Sequence, residues 1–265
     1  MRFLFMRFCP LCSGSSGNST YIEAGNIRIL IDAGLSCKRI TALMNEIGAD
    51  PAQLTAILVT HEHSDHIKGI EILSSKYSVP VYANRECWSA MRNQMARVKP
   101  SEICVFESDK TFYIGGVEVF PFTTYHDSVH SVGFVIRHKE HKVAVCTDIG
   151  HIDKRILEIL SGCELVLLEA NHDVDMLMAG SYPYLLKKRI LSGTGHLCNE
   201  DCANTLVELY HRGVRNAILG HLSKENNYPE LALITVHSAL KAAGIDDKMQ
   251  IALALRDQPT GIFEL

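Results

Sequence analysis

The sequence predicts an α/β protein of four layers, an αββα sandwich in which two mixed β-sheets pack face to face between outer helices. Three observations favour this fold. The first half of the chain shows the patterns of short strands with few helices. Residues 103–146 show one strand pattern after another, and from residue 152 onward helix and strand patterns alternate. The predicted strand at residues 55–59 is apolar at every position after Thr55, which is typical of a strand that is buried on both faces.

The first elements follow from turn and cap signals. Gly25-Asn26 is a hairpin turn signal, and it lies between strands predicted at residues 20–24 and 27–31. Ser36 can cap a helix that runs to residue 47, and Gly48 can end that helix.

The later elements follow from periodicity. Asn84 is predicted to cap a helix, and the polar residues 137–142 predict an exposed turn that contains His138 and His141. The remaining predicted strands are 79–83, 103–106, 111–113, 117–122, 132–137, 142–146, 165–168, 216–219 and 250–254, and the remaining predicted helices are 67–76, 152–160, 200–211 and 230–242.

Composition narrows the class of protein. The 265 residues are 47% hydrophobic and 21% charged, which is ordinary for a globular protein and suits one domain over residues 1–265. No apolar run reaches the roughly 20 residues of a membrane span, so we expect no membrane association. The apolar residues 1–6 lack a cleavage site and are expected to begin a strand, and because a strand can begin equally well at Arg7, either Met1 or Met6 is a candidate for the biological start.

Charge and cysteine content carry less information. The formal net charge of −4 gives no global electrostatic case for nucleic acid, so any polyanion would have to be bound locally. Nine cysteines are scattered along the chain, and the Cys9-x-x-Cys12 pair has no partner at zinc-finger spacing. Reduced, mostly buried thiols in a cytoplasmic protein are therefore expected.

One six-residue segment carries most of the chemistry. His61-Glu-His-Ser-Asp-His66 follows the buried strand 55–59 directly, and a loop at a strand end can aim its side chains into one crevice. Imidazoles and a carboxylate suit zinc or manganese. Four ligands in so short a loop cannot all reach one ion that keeps open positions, so two ions would share them better. The alternative is a solvated polar loop.

Three distant residues repeat the same placement. His126, Asp148 and His221 each follow a predicted strand. Each alone would more often be a structural histidine or a turn aspartate. Together they indicate a common catalytic edge.

The order His-x-His-x-Asp-His, then His, Asp and His at strand ends, resembles the metallo-β-lactamase superfamily over nearly the whole chain. The resemblance implies two divalent metal ions, zinc or manganese. The first ion would be bound by His61, His63 and His126, the second by Asp65, His66 and His221, and Asp148 would bridge them. It also implies that Asp32 supports the metal-binding loop.

Further segments resemble the YycJ/WalJ-type branch of that superfamily, which is thought to contain 5′-3′ DNA exonucleases. These segments are residues 13–19, 126–127, 147–151, 169–171, 195–197 and 220–223. The pair His196 and His221 is also similar to a pair in tRNA 3′-processing nucleases, in which the first histidine contacts the scissile phosphate. The chain after Asp148 is too short for a β-CASP insertion, and no tRNA-binding arm is visible.

The resemblance suggests a mechanism. Two cations about 3.5–4 Å apart would activate a water molecule and stabilise the attacking and leaving oxygens. Asp65 would orient that water, and His196 would protonate the leaving oxygen while Glu169 fixes its tautomer. The alternative for His196 is a plain polar residue ahead of a helix that Asn199 caps.

Two segments are candidates for binding the substrate. The loop at residues 13–19 could hold a phosphate, although it is equally often only a turn. A basic run with nearby tyrosines suits single-stranded nucleic acid, although it could be a solvated helix face. The predicted contacts are Ser15, Ser16 and Asn18 in the loop and Lys187, Lys188 and Arg189 in the basic run.

Three functions compete at this point. The first is a metal-dependent nuclease that hydrolyses phosphodiesters of nucleic acid, with DNA as the expected substrate. The second is a small-molecule hydrolase of the same fold, such as a thioesterase, lactonase or cyclic phosphodiesterase. The third is a metal-stabilised binding module, and seven ligands count against it because a structural site does not need them.

Overall fold

A computed structural model describes residues 5–265. Residues 1–4, which the sequence assigns to the start of the first strand, lie outside the described residues. The predicted αββα sandwich is confirmed, because two seven-stranded mixed sheets pack against each other with helices on their outer faces.

The first sheet combines antiparallel and parallel pairs. Its order is β14-β1-β2-β3-β4-β5-β6, with antiparallel pairs up to β3 and parallel pairs beyond it. The strands are β1 (Met6–Cys12), β2 (Ser19–Ala24), β3 (Ile27–Ile31), β4 (Ala56–Leu58), β5 (Val81–Ala83), β6 (Ile103–Val105) and β14 (Phe263–Glu264).

The second sheet repeats this design. Its order is β13-β12-β11-β10-β9-β8-β7, with antiparallel pairs from β7 to β10 and parallel pairs from β10 to β13. The strands are β7 (Phe112–Ile114), β8 (Val117–Thr123), β9 (Val132–His138), β10 (His141–Cys146), β11 (Leu165–Glu169), β12 (Asn216–Gly220) and β13 (Gln250–Leu253).

The helices are divided between the two halves of the chain. The first half contributes α1 (Cys37–Glu46), α2 (Ser64–Ile67), α3 (Ile70–Tyr77) and α4 (Arg85–Met91). The second half contributes α5 (Lys154–Leu160), α6 (Val174–Ala179), α7 (Tyr184–Ile190), α8 (Asn199–His211) and α9 (Pro229–Ala242). Across residues 5–265, none of the helices has the length and apolar character to cross a membrane.

Alternation along the strands explains why the chain forms these layers. On β3, Ile29 and Ile31 pack between the sheets, whereas Leu30 packs under the helices of the first half. On β11, Leu165 and Leu167 face the other sheet, whereas Val166 packs under the helices of the second half. Successive strand residues point to opposite faces, so strands that are apolar throughout are buried on both sides.

The cap predictions are largely confirmed. The side chain of Ser36 accepts a hydrogen bond from Arg39 N, and that of Asn84 accepts one from Cys87 N. Helix α8 begins at Asn199, and its N-cap is Cys198. The expectation that Asn199 caps this helix was therefore wrong by one residue.

Two predictions about local structure were wrong. The single helix expected at residues 67–76 is divided into α2 and α3 at Gly69, where a Cβ atom would lie 2.3 Å from Leu35 O. His138 and His141 are not exposed turn residues, since they pair with each other across β9 and β10. His141 Nδ1 also lies 3.1 Å from Glu164 Oε1.

Candidate metal centre

The predicted ligands lie just beyond the carboxyl ends of strands from both sheets. His61 follows β4, His126 follows β8, Asp148 follows β10 and His221 follows β12. Because the two sheets pack face to face, these strand ends meet at one edge of the sandwich. The structure brings all seven predicted ligands into one cluster there.

The backbone turns sharply at three positions of this edge. Asp32, Asp148 and His221 have φ angles of 59°, 55° and 55°, in the left-handed region that non-glycine residues seldom adopt. Such a conformation costs on the order of 1–3 kcal/mol and persists only where the surrounding fold holds it. Each turn redirects the chain directly after a strand and places a side chain in the cluster.

The first group of possible ligands is His61, His63 and His126. One ligand atom from each lies within 4.8 Å of the others, and His61 Nε2 is 3.1 Å from His63 Nδ1. His126 Nδ1 donates to Gly195 O, so its Nε2 is turned toward the group. Burial lowers the pKa of His61 well below its usual value and lowers that of His126. Neutral imidazoles are the form that binds a metal ion.

The second group is Asp65, His66 and His221, whose ligand atoms also lie within 4.8 Å of one another. Asp32 Oδ2 lies 2.7 Å from His66 Nδ1, in the supporting position that the resemblance implies. The other ring nitrogen of His66 is 3.3 Å from Asp148 Oδ2 and 3.6 Å from Asp65 Oδ2. A carboxylate on Nδ1 fixes the ring so that Nε2 is presented as a ligand.

Asp148 lies between the two groups. It clusters with His61 of the first group and with His66 and His221 of the second, and it is 3% exposed. Burial alone would raise its pKa, but His221 and His66 hold the pKa of this carboxyl well below its usual value. An ionised carboxylate in this position is suited to bridge two cations.

Unsatisfied atoms test whether divalent ions fit. Among the described residues, Asp148 Oδ2 and His221 Nε2 are buried without a well-formed hydrogen bond, and His66 Nε2, 3.3 Å from Asp148 Oδ2, is itself a predicted ligand atom. Leaving such a polar atom unsatisfied costs about 1–3 kcal/mol. Both atoms face the cluster, and a divalent cation would satisfy them through its affinity for carboxylate oxygen and imidazole nitrogen. The residues therefore fit the metal ions that the fold implies.

Glu169 connects two histidines. Its Oε1 lies 2.8 Å from His196 Nδ1 and 2.7 Å from His221 Nδ1, and its Oε2 accepts a hydrogen bond from Ile149 N. Burial opposes ionisation, but His196 and His221 lower the pKa of Glu169 to about 2. The expected contact between Glu169 and His196 is therefore present, and the same carboxylate also orients His221. Both rings then present Nε2 away from Glu169.

The loop at residues 13–19 lies against the metal centre. Ser15 and Ser16 are exposed at its tip, whereas Asn18 is buried. Asn18 Nδ2 is 3.1 Å from His66 Nε2 and 3.4 Å from Asp65 Oδ2, and Asn18 Oδ1 accepts from Gly14 N. The amide of Asn18 thus ties the loop to two predicted ligands.

The basic run at residues 187–189 lies on α7. Lys187 Nζ donates to Met178 O and Gly180 O, at 2.7 Å each. Arg189 forms a bidentate ion pair with Asp127, the residue after His126. This ion pair holds α7 beside the cluster. Lys188 is exposed.

Two supporting residues were not singled out from the sequence. Thr60 donates from N and Oγ1 to Asp32, at 2.9 and 2.7 Å, and Asn171 Nδ2 donates to His221 O at 2.9 Å. The only signal for Thr60 was its position between an apolar strand and His61. Asn171 lies in the segment that resembles the YycJ/WalJ-type branch, but a single asparagine carries no signal for this contact.

A tight backbone contact at Gly34 yields a prediction. A Cβ atom there would lie 1.6 Å from Asp65 O and 2.6 Å from Asn18 N, so Gly34→Ala must displace the metal-binding loop. We expect that variant to retain less divalent metal per chain after gel filtration than the wild type, measured by elemental analysis. Gly116→Ala is the matched control, because nothing lies within 4 Å of its Cβ position. Equal metal retention in both variants would contradict the expectation.

A family model described as a Beta-lactamase superfamily domain matches residues 27–222, which hold every predicted metal ligand. The chain belongs to this superfamily. Its fold is also that of a solved metallo-β-lactamase fold protein, YhfI from Bacillus subtilis, with a TM-score of 0.74 and 17% identity over 98% of this chain and 100% of that one. At that identity the likeness concerns the fold alone.

Two curated relatives are much more similar in sequence. The chain is 42% identical to "Exodeoxyribonuclease WalJ" of Streptococcus pneumoniae over 92% of this chain and 93% of the relative. It is 36% identical to "Exodeoxyribonuclease YycJ" of Bacillus anthracis over 97% of this chain and 98% of the relative. The resemblance to the YycJ/WalJ-type branch is thereby confirmed.

Proposed function

We propose that the chain is a dinuclear-metal-dependent exodeoxyribonuclease that hydrolyses DNA in the 5′-3′ direction. The observation that carries the proposal is the convergence of two three-residue groups around one buried carboxylate, Asp148, with His196 directly beside them. The two curated relatives, which are named exodeoxyribonucleases, support a DNA substrate.

The proposal assigns one role to each group of ligands. His61, His63 and His126 would hold one ion, Asp65, His66 and His221 would hold the second, and Asp148 would serve both. The nitrogen and oxygen donors suit zinc or manganese. When bound, two such ions supply an activated water near neutral pH and neutralise the charge of a phosphodiester.

The protein's own groups complete the chemistry. Asp65 orients the attacking water, since its side chain is partly exposed while those of His66 and His221 are buried. His196 presents Nε2 away from Glu169 and gives a proton to the leaving oxygen. Burial opposes protonation of His196, but Glu169 raises the pKa of its ring and so favours the acid form. Proton transfer from a positioned side chain contributes roughly 10²–10⁴-fold to a rate.

Substrate contacts are assigned to the exposed groups around this edge. Ser15 and Ser16 lie at the tip of a loop whose base contacts Asp65 and His66 through Asn18, and they can donate to a phosphate. Lys188 and the ion-paired Arg189 are exposed on α7, and Lys187 ties α7 to the carboxyl end of α6. A surface that combines exposed tyrosine and basic side chains suits the binding of single-stranded nucleic acid.

We also infer a single-domain organisation and a cytoplasmic location. Residues 1–265 form one domain with no β-CASP insertion, since β11, β12 and helices α5 to α8 occupy the chain between Asp148 and His221. All nine cysteines are free, and most are buried. Free thiols in this number suit a reducing compartment, so we infer a cytoplasmic location.

The direct test uses single-stranded DNA labelled at its 5′ end, incubated with the purified protein and Mn²⁺ or Zn²⁺. We expect early release of a labelled mononucleotide, because digestion from the 5′ end removes the label first. His61→Ala should abolish this activity. His211→Ala removes an exposed histidine at the end of α8 and serves as the matched control.

Two results would contradict the proposal. A ladder of shortening labelled products would show digestion from the 3′ end and overturn the direction. Intact DNA combined with hydrolysis of a thioester, a lactone or a cyclic phosphodiester would instead identify a small-molecule hydrolase.

A further inference from the structure

A cavity of about 290 Å³ lies beside the metal centre, among residues that follow β1, β12 and β13. Ser13 is part of its wall, and Ser13 Oγ accepts a hydrogen bond of 2.8 Å from His221 N. Leu222, the next residue along the chain, lines the cavity as well. The cavity therefore shares a wall with a predicted metal ligand, although no predicted ligand lines it.

The lining of this cavity is basic. Lys224 and Arg256 belong to the wall, and within residues 5–265 no aspartate or glutamate does. This local balance is opposite to the formal net charge of −4 of the whole chain. A cavity lined by one sign of charge concentrates ligands of the other sign. An anion is thus the ligand that this wall favours.

Arg256 is held in place at the wall. Its Nη2 donates to Leu222 O at 2.6 Å, and its Nη1 would lie 2.6 Å from a Cβ atom at Gly14. The glycine leaves room for the guanidinium between the loop at residues 13–19 and the segment after β12. A guanidinium fixed in this way loses little side-chain entropy when it binds a phosphate.

Two buried hydroxyls add donors. Ser13 Oγ accepts from His221 N, and Ser223 Oγ accepts from Asn226 N, so each hydroxyl proton is available for a ligand. Ser13 is 4% and Ser223 is 7% exposed. Hydroxyl, guanidinium and ammonium donors together match the acceptor oxygens of a phosphate.

The rest of the lining is apolar and aromatic. Tyr228 is 47% exposed, and it lines the cavity together with Leu222, Leu253 and Leu255. An accessible aromatic ring can stack on a nucleobase of any sequence. The volume lies at the small end of the range for ligand sites, so it suits one nucleotide and not a duplex.

We propose that this cavity binds one nucleotide of the DNA strand next to the scissile phosphodiester. Arg256 and Lys224 contact its phosphate, and Tyr228 stacks on its base. This inference rests on the proposed function, because the same strand must reach the metal centre. It adds a binding site whose wall includes Ser13 of the loop at residues 13–19 but none of the six individual contacts predicted from the sequence.

The test measures kcat and KM on a single-stranded oligothymidylate at several salt concentrations. Tyr228→Ala and Arg256→Gln should each raise KM about tenfold and change kcat less than about twofold, because they weaken strand binding. Lys224→Ala and Arg256→Gln should each reduce the slope of log KM against log salt by about 0.7, the amount expected for one phosphate contact on a single strand.

Two controls make the lysine and tyrosine changes elsewhere. Lys241→Ala removes an exposed lysine near the far end of α9, and Tyr113→Ala removes a tyrosine that is 66% exposed on β7. Both should keep the wild-type KM and salt slope. Thermal melts identify any misfolded variant, and the exposed Lys224 and Tyr228 decide the question if Arg256→Gln unfolds.

The outcomes separate the two proposals. If the wild type digests the oligonucleotide and the cavity variants behave like the controls, the nucleotide site is wrong and the proposed function stands. If the wild type digests no nucleic acid, the proposed function fails and the nucleotide site fails with it.

Discussion

Replacement of Asp148 by asparagine should remove most of the bound metal and lower kcat/KM for DNA by at least roughly 10³-fold. Asp148 is 3% exposed and shares clusters with ligands of both groups, so its charge is the one that both groups face. Asparagine keeps the size of the side chain and tolerates the left-handed backbone at this position. The expected loss is therefore one of charge and not of fold.

The measurement combines metal content per chain with steady-state kinetics. Asp246→Asn is the matched control, because Asp246 is a partly exposed partner of His237 outside the cluster. We expect the control to keep the metal content and activity of the wild type. An Asp148→Asn protein that retains two ions per chain and digests DNA at the wild-type rate would refute the bridging role.

His196→Ala and Glu169→Gln should separate catalysis from metal binding. Removing His196 deletes the proposed acid but no predicted ligand, so kcat should fall roughly 10²–10⁴-fold while metal content stays constant. Glu169 contacts both His196 and His221, so Glu169→Gln should weaken metal binding and activity together, by roughly 10–100-fold each. The two variants thus have different signatures.

The controls for this pair are again matched by chemistry. His211→Ala and Glu164→Gln change the same residue types at positions outside the cluster. Loss of metal from His196→Ala would mean that His196 is a ligand. An unchanged metal affinity in Glu169→Gln would mean that the hydrogen bond to His221 Nδ1 does not support the ligand.

The part of the site that could be predicted from the sequence is the part that repeats a pattern. His61 to His66 form a dense motif, and His126, Asp148 and His221 each follow an apolar strand, so a common edge was predictable, while the division of the ligands between two ions came from the family resemblance. The αββα layers were predictable for a related reason. Strands such as β11, which is apolar at four successive positions, must be covered on both faces.

What could not be predicted depends on contacts between distant segments. Nothing local in the sequence indicates that Glu169 serves two histidines, or that Arg256 turns back beside Gly14. The left-handed conformation of Asp148 and His221 is likewise imposed by the fold, since their own preferences oppose it. Gly69 divides the predicted helix because Leu35 O approaches it, which is again a tertiary contact.

The most direct test of the dinuclear site is a crystal structure of the protein grown with Mn²⁺ or Zn²⁺, with the metal positions located by anomalous scattering. We expect two peaks beside Asp148, one among His61, His63 and His126 and the other among Asp65, His66 and His221. A single peak, or ions bound away from these side chains, would contradict this expectation.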